Sequence, residues 1–247
     1  MSLTALAVAT PVAATLSWLT YATVGPSCAF WGPVVSRGPA GSGRIALTFD
    51  DGPTPGATDR VLDLLAGANI LATFFVVGDN VRQHPDLLRR VHDEGHQIAN
   101  HSYDHPHFGV FRRWPYWERE IRRTDETIES VVRLRPAIFR PPMGIKTWHT
   151  TRAARQCGHK VVTWSRRAID GLPTTPNRIV ERLSGIRDGD IVLLHDGVEP
   201  HARHTDRSAT INALTPLLER IKERGLAPVR LDQLTGLPAY QSRATET

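Results

Sequence analysis

The 247-residue chain is short of cysteine and of lysine. Its two cysteines, Cys28 and Cys157, form no CxxC pair, which excludes a disulfide framework and a cysteine metal site and favours two free thiols over one long-range disulfide. Arg supplies nearly all of the +5 net charge. This charge is mild, and no basic, aromatic-rich stretch accompanies it, so nucleic acid is not expected as a partner.

The chain also lacks charge at its start, with no charged side chain before Arg37. Residues 5–24 are apolar, but they have no basic n-region, and Pro11 with several Thr and Ser interrupts them. Residues 1–37 are therefore a candidate membrane anchor or signal, with membrane association through residues 5–24, or a segment packed on the domain or disordered. We predict the main domain at residues 38–247. An extracytoplasmic or membrane-associated location is favoured, with a cytoplasmic one as the alternative.

Strand-like and helix-like segments alternate from residue 44 onward. The predicted strands are 46–49, 72–78, 96–102, 137–142, 160–164, 190–196 and 228–234. The predicted helices are 58–68, 85–95, 117–133, 150–158, 177–184 and 210–225. Seven strands alternating with helices predict parallel β/α architecture.

The segment TFDDGP at residues 48–53 carries the strongest chemical signal. An apolar-rich run precedes Asp50 and Asp51, and a Gly-Pro break follows them, so a strand delivers two carboxylates into a turn. Side chains alternate in direction along an extended chain, and the two acids can therefore do different work. One can bind a metal while the other acts as a base.

Other polar side chains also fall at or just beyond the carboxyl ends of predicted strands. In parallel β/α barrels that end of the strands holds the active site. Each side chain alone has a structural explanation, but together they indicate a catalytic site. The set is Asp50, Asp51, His101, Arg140, Asp170 and His195.

Asp51, His101 and His105 are the candidate metal ligands. Two histidines four residues apart can reach a common ion, and Pro106 favours a loop with a single turn over a continuing helix. Two His and one carboxylate leave coordination positions open, as in a catalytic zinc site. His84, His92, His96, His107, His149 and His159 are interpreted as surface, packing or structural residues. His201 and His204 are either substrate contacts or parts of a solvated loop, the second being favoured.

TFDDGP, HSYDH, RPP and LLHDG, in this order and at these separations, closely resemble the polysaccharide deacetylase (NodB-type) family, which is carbohydrate esterase family four. The resemblance covers about residues 42–236. It implies a distorted (β/α) barrel of seven or eight mostly parallel strands, which agrees with the segments predicted above.

The resemblance also implies roles for individual residues. Asp51, His101 and His105 would bind a divalent metal, most often Zn²⁺, with Co²⁺ or Ni²⁺ as alternatives. Asp50 would be the general base and Arg140 would hold it in place. His195 would be the general acid, paired with Asp170. Leu193 and Met143 would line the substrate pocket.

The chain departs from the family pattern at positions expected to surround the acyl group of the substrate. Gly171 stands where a Trp follows the aspartate, Arg167 where an acid precedes it, and Met143 where an aromatic follows Arg-Pro-Pro. Trp148 or Trp164 could replace the missing aromatic wall. The metal and base positions are unaffected.

The sequence therefore predicts a metal-dependent hydrolase that removes N-acetyl groups from an N-acetylhexosamine glycan such as chitin or peptidoglycan. Two alternatives remain. One is a deacylase of a lipid-linked sugar or of another amide or ester, and the other is a carbohydrate-binding protein with a decayed site.

Overall fold

The computed structural model describes the backbone of residues 3–242 and the side chains of residues 13–242. The helices are α1 Leu3–Val24, α2 Thr58–Gly67, α3 Gly78–Gln83, α4 Pro85–Asp93, α5 Trp114–Val132, α6 Trp148–Gln156, α7 Pro176–Arg182, α8 Ser208–Glu223 and α9 Leu231–Thr235. The strands are β1 Arg44–Asp50, β2 Thr73–Val76, β3 Gln97–Asn100, β4 Ile138–Phe139, β5 Lys160–Val161, β6 Arg166–Arg167, β7 Ile191–His195 and β8 Ala227–Val229.

The strands form one parallel sheet in the order β5-β4-β3-β2-β1-β7-β6. The eighth strand, β8, pairs with the first residues of β1, from Arg44 opposite Ala227 to Ala46 opposite Val229. The sheet curls into a partial barrel with helices packed outside it. The predicted distorted (β/α) barrel is therefore confirmed.

Side chains along β1 alternate in direction and pack into two different apolar cores. Ile45, Leu47 and Phe49 pack outward against the buried faces of the helices. Ala46 packs in the barrel interior, and Asp50, four residues later, shares its direction. The other interior side chains are Phe75, Ala99, Ile138, Val162, Trp164, Ile191 and Leu193, and Leu231 and Leu234 of α9 pack against them.

Residues 23–37 are packed against this sheet. The Val35 N–H donates to the Val161 carbonyl at 3.0 Å, and the Thr163 N–H donates back to Val35 at 2.9 Å. Arg37 forms an ion pair with buried Asp190 at 2.6 Å. The segment therefore runs beside β5 and reaches the start of β7.

The division at residues 37 and 38 stays a prediction about domain organisation. The ends of both predicted domains, residues 1–2 and 243–247, lie outside the described residues. Among the residues that the structure does describe, no helix combines the length and the apolar character needed to cross a membrane. Cys28 and Cys157 are free thiols, as predicted.

The predicted strand 228–234 is wrong beyond residue 229. Leu231 and Leu234 are spaced for one face of a helix, and both are buried in the barrel interior, so the chain turns into α9 after β8. The Leu231 N–H donates to the Thr73 hydroxyl at 2.9 Å and fixes this turn. Strand β6 was not predicted, since Arg166 and Arg167 carry no apolar signal.

Candidate active site

Strand alternation places several predicted site residues on the interior side of the sheet. Asp50 lies opposite His195 in the β1–β7 register, with Leu193 two residues earlier on the same side. His101 follows the interior residue Ala99 by two positions, and Arg140 follows Ile138 in the same way. The side chains of Asp50, His101, Arg140 and His195 therefore meet at the carboxyl end of the barrel.

Asp51 reaches the same place by a backbone turn. Continued extension of β1 would point it away from Asp50, but its φ of 75° lies in the left-handed region. Four other non-glycine residues around the site have positive φ, namely Ser102, His105, Met143 and Ile169. Such conformations cost about 1–3 kcal/mol each and concentrate at functional sites.

Asp51, His101 and His105 have the geometry of a metal site. Asp51 Oδ1 lies 3.5 Å from His101 Nε2 and 3.5 Å from His105 Nε2. Ligand bonds of about 2.0–2.1 Å in a tetrahedral site imply ligand separations of roughly 3.3 Å. Asp51 Oδ1 is buried and has no hydrogen-bond partner among the described residues. A cation would satisfy this oxygen, so the residues fit the implied metal.

The orientation of His101 is set by its second ring nitrogen. His101 Nδ1 lies 2.8 Å from the Arg140 carbonyl oxygen and donates to it, which leaves the Nε2 lone pair facing Asp51. Burial lowers the pKa of His101 to about 3. The ring is therefore neutral, the form in which imidazole binds metals.

Asp50 is held by Arg140 rather than by the candidate metal site. Its Oδ1 accepts from Arg140 Nη1 at 2.5 Å. The fully buried guanidinium also donates to the Thr48 hydroxyl and to the Thr163 carbonyl, both at 2.9 Å. Burial raises the pKa of Asp50, with Arg140 opposing that effect. Burial also raises the pKa of Asp51, to about 7, and a bound cation would lower it again.

His195 and Asp170 form the second polar pair of the site. The His195 Nδ1–H donates to Asp170 Oδ1 at 2.8 Å, and the His195 backbone N–H donates to Oδ2 at 2.8 Å. Thr210 Oγ1 donates to the same Oδ2 at 2.8 Å. Burial opposes protonation of His195, but Asp170 outweighs it and raises the pKa to about 9. The pKa of Asp170 is lowered, because His195 outweighs the effect of burial.

A cavity of about 760 Å³ opens above these groups. Leu193, Met143, Trp164 and Gly171 line it, and contact of Leu193 and Met143 with substrate stays a prediction. Trp148 lies elsewhere, in a small cavity beside Trp31. Of the two tryptophans considered for the missing wall, only Trp164 therefore lies at the cavity.

Sequence reasoning missed a group of residues that also line the cavity. His107, interpreted as a surface or packing residue, donates from Nε2 to Glu199 Oε1 at 2.8 Å, and both line the cavity. Arg203, His204 and Arg207 line it as well. Glu199 is 92 positions away from His107, so no local pattern links them. The only sequence signal is that His107 closely follows the motif HSYDH and Glu199 closely follows the motif LLHDG.

Comparisons with known proteins decide the family. A family model described as polysaccharide deacetylase matches residues 37–162. A chitooligosaccharide deacetylase of Bradyrhizobium sp. (strain ANU 289) is 35% identical over 201 residues, 79% of this chain and 92% of that protein. A peptidoglycan-N-acetylglucosamine deacetylase of Bacillus cereus is 36% identical over 196 residues, 77% of this chain and 87% of that protein. The chain belongs to the polysaccharide deacetylase family.

A solved member of the family shares the fold. The crystal structure of the Bc1960 peptidoglycan N-acetylglucosamine deacetylase, in complex with 4-naphthalen-1-yl-N-oxidanyl-benzamide, superposes with a TM-score of 0.77 at 27% identity. The match covers 84% of this chain and 95% of the other. The predictions of a polysaccharide deacetylase and of a hydrolase acting on non-peptide carbon–nitrogen bonds are therefore confirmed.

Proposed function

We propose that this protein removes the acetyl group from N-acetylglucosamine residues of a glycan, using a divalent cation held by Asp51, His101 and His105. The observation that carries the proposal is the buried, unpartnered Asp51 Oδ1 facing two imidazole nitrogens. The acids and histidines needed for proton transfer lie beside it. The named activities of the relatives support the same reaction.

The bound cation would supply Lewis acidity to the amide carbonyl and lower the pKa of the attacking water. Neutral imidazoles and one carboxylate suit Zn²⁺, and also Co²⁺ or Ni²⁺. Hydrolysis then adds water across the amide C–N bond and releases acetate and a free amine.

Asp50 accepts the proton of the attacking water. Its Oδ1 is held by Arg140, while Oδ2 lies 3.6 Å from His101 Nε2 and therefore close to the metal ligands. The ion pair with Arg140 favours the carboxylate form, which is the form that can take a proton. Asp50 is thus positioned as a general base and need not serve as a ligand.

His195 supplies the proton that the leaving amine requires, because an amide anion is too basic to leave. It lies opposite Asp50 in the sheet and lines the same cavity. Since Asp170 raises its pKa to about 9, His195 is protonated at neutral pH. Asp170 also fixes the ring, so that Nε2 carries the proton to be donated.

The test is acetate release from N-acetylglucosamine oligosaccharides and from peptidoglycan, before and after metal removal by a chelator. Activity should vanish on chelation and return with added Zn²⁺, Co²⁺ or Ni²⁺. Asp51→Ala, His101→Ala and His105→Ala should each lose bound metal, because a three-ligand site cannot spare one ligand. His92→Ala, outside the site, is the matched control. Full metal occupancy in His101→Ala would overturn the assignment.

One observation favours a second substrate, a lipid-linked or long-chain N-acyl sugar. Phe108, Met143, Ile169 and Leu172 line the cavity and are exposed, Phe108 to 77%. This apolar rim could bind an acyl chain. Deacylation of a lipid-linked sugar at a higher kcat/KM than that of a glycan would favour this alternative. A decayed binding protein is disfavoured, because every predicted metal and proton-transfer residue is present and assembled.

We further propose that the protein acts outside the cytoplasm, where peptidoglycan, the polymer named for its Bacillus cereus relative, is found. Detection of the protein in a cytoplasmic fraction alone would contradict this.

A further inference from the structure

Glu199 is a buried carboxylate that the reaction above does not use. Its Oε1 accepts from His107 Nε2 at 2.8 Å, and its Oε2 accepts from the His201 backbone N–H at 2.5 Å. Oε2 also lies 3.8 Å from His105 Nδ1. That nitrogen is buried and has no hydrogen-bond partner within the described part of the chain. The unpartnered His105 Nδ1 therefore faces a carboxylate oxygen of Glu199.

The chemistry of His105 explains this arrangement. Its Nε2 faces Asp51 and would bind the cation, so the neutral ring carries its proton on Nδ1, toward Glu199. An imidazole that binds a metal almost always donates its other N–H to a carboxylate, a carbonyl or water. A movement of about 1 Å would shorten the 3.8 Å separation to a hydrogen bond.

We propose that Glu199 is a positioning residue, which fixes the tautomer and the ring orientation of His105 and is itself held by His107. This rests on the proposed metal site. His101 is oriented by the Arg140 carbonyl. The orientation of His105 would instead depend on Glu199, in the loop that follows β7. Metal affinity would therefore depend on how that loop is folded.

The same three side chains could hold a second cation, since their ligand atoms lie within 4.8 Å of one another. The hydrogen bonds argue against this. His107 Nε2 and the His201 N–H already occupy both Glu199 oxygens, and a cation there would compete with the proton on His105 Nδ1. The second-cation model remains an outcome of the test.

The experiment measures Zn²⁺ affinity by chelator competition, Zn²⁺ stoichiometry, and the visible spectrum of the Co²⁺ form. Glu199→Ala should weaken Zn²⁺ binding about 10- to 100-fold and alter the Co²⁺ spectrum, because outer carboxylates tune ligands to that extent. Glu199→Gln, which keeps an acceptor oxygen, should be intermediate. Glu219→Ala, an exposed glutamate on α8, controls for loss of charge.

Three results separate the possibilities. Unchanged Zn²⁺ affinity and Co²⁺ spectrum in Glu199→Ala would overturn the positioning role alone. Two Zn²⁺ per chain, reduced to one in His107→Ala, would replace it with the second-cation model. No Zn²⁺ binding by the unaltered protein would overturn the proposed metal site and this inference together. Thermal unfolding of the metal-free variants shows whether each is folded.

Three arginines lie at the same cavity. Arg167, Arg203 and Arg207 line it, and within the described residues none forms an ion pair with a carboxylate. Arg207 is buried, and its guanidinium donates only to backbone carbonyls, including Gly197 at 2.6 Å and His204 at 3.1 Å. Asp50 is engaged by Arg140 and Glu199 by His107, while the charge of Arg207 opposes the rise in the pKa of Asp51.

We infer that the substrate carries an anionic group, a carboxylate or a phosphate, close to the sugar that is deacetylated. Arg167 and Arg203 are exposed at the cavity and have no carboxylate partner among the described residues, and Arg suits planar, bidentate binding of such anions. The inference rests on the proposed function and specifies its substrate. A neutral homopolymer of N-acetylglucosamine would offer Arg167 and Arg203 no anionic partner.

The test compares kcat/KM at low and high salt for three oligosaccharides of equal length: neutral, carboxylate-bearing and phosphate-bearing. At least one anionic substrate should exceed the neutral one about tenfold at low salt, and which one identifies the anion. In the double variant Arg167→Gln/Arg203→Gln, the ratio of kcat/KM for the anionic substrate to that for the neutral one should fall toward one, through a change in KM. The control Arg155→Gln, at an exposed site on α6, should retain the ratio. Equal kcat/KM for all three substrates would overturn this inference and leave deacetylation standing.

Discussion

At the scale of single residues, Asp50 and Asp51 show how one dipeptide can present its two carboxylates to different partners. Asp50 keeps strand geometry and meets Arg140, whereas the positive φ of Asp51 turns its carboxylate toward two histidines. The difference lies in the backbone and the partners, since the two side chains are chemically identical.

The first prediction concerns Asp50→Asn. The amide cannot take the proton of the attacking water, so turnover should fall about 10²- to 10⁴-fold. Bound Zn²⁺ should remain, because Asp51, His101 and His105 are intact. Elemental analysis and acetate release on the same sample test both parts. Loss of the metal together with activity would assign Asp50 to the metal site, and activity equal to that of the unaltered protein would place the base elsewhere.

The second prediction concerns the alkaline limb of the pH profile. His195 must be protonated to act as the acid, so kcat/KM should fall as the pH rises through about 9. Asp170→Asn removes the carboxylate that raises this pKa and leaves the burial that lowers it, so the limb should move by about one pH unit or more to lower pH. Thr210→Val removes one hydrogen bond to Asp170 but keeps its charge, and should shift the limb less. An unmoved limb in Asp170→Asn would assign the acid to another group.

At the scale of elements, the segment between β6 and α7 lines the cavity beside His195. A Cβ built on Gly171 would lie 3.5 Å from His195 Cε1, which is ordinary contact, so a side chain there would pack against the His195 ring. Glycine leaves that space open. Trp164 lies at the cavity, but it packs closely against Gly144.

The third prediction follows from this open space. The protein should accept an N-propionyl substrate relatively well compared with N-acetyl, and Gly171→Trp should reject it. One methylene in an apolar pocket is worth about 1–3 kcal/mol, so the change in the kcat/KM ratio is measurable. Gly171→Ala is the control, since it adds only the Cβ. Equal selectivity in the unaltered and Trp proteins would indicate that Trp164 already forms the wall.

At the scale of the whole molecule, residues 23–37 tie the start of the chain to the barrel. The buried Lys146 Nζ donates to the Gly25 carbonyl at 2.8 Å, and Thr163 Oγ1 donates to the Pro26 carbonyl at 2.7 Å. Val35 pairs beside β5, where the seven-strand order ends. Burial lowers the pKa of Lys146, so its contact with Gly25 compensates an unfavourable environment.

The fourth prediction compares two truncations by thermal unfolding. Removal of residues 1–22 should change Tm little, because the described side chains of α1 are mostly exposed. Removal of residues 1–37 should lower Tm by about 10 °C, since it breaks several hydrogen bonds worth about 1 kcal/mol each and strips the edge of β5. Equal Tm values for the two variants would show that residues 23–37 contribute no stability.

The sequence by itself determined the order of the strands and helices from β1 to β8, apart from α3, β6 and α9, and the interior direction of Asp50, His101, Arg140 and His195. These properties are local, because alternation along a strand follows from backbone geometry and the apolar residues reveal which side is buried. The motifs also indicated the family and the enzyme class. The short helix α9 was missed because its two leucines resembled the end of a strand.

Tertiary structure alone decided which groups face each other across long stretches of chain. His107 and Glu199 meet because the loops after β3 and β7 converge on the same end of the barrel. Three other features depend in the same way on partners distant in sequence. They are the turn at Asp51, the opening that Gly171 leaves beside His195, and the pairing of Val35 with the sheet. Such contacts form only when the barrel closes around them, and no local pattern of residues records them.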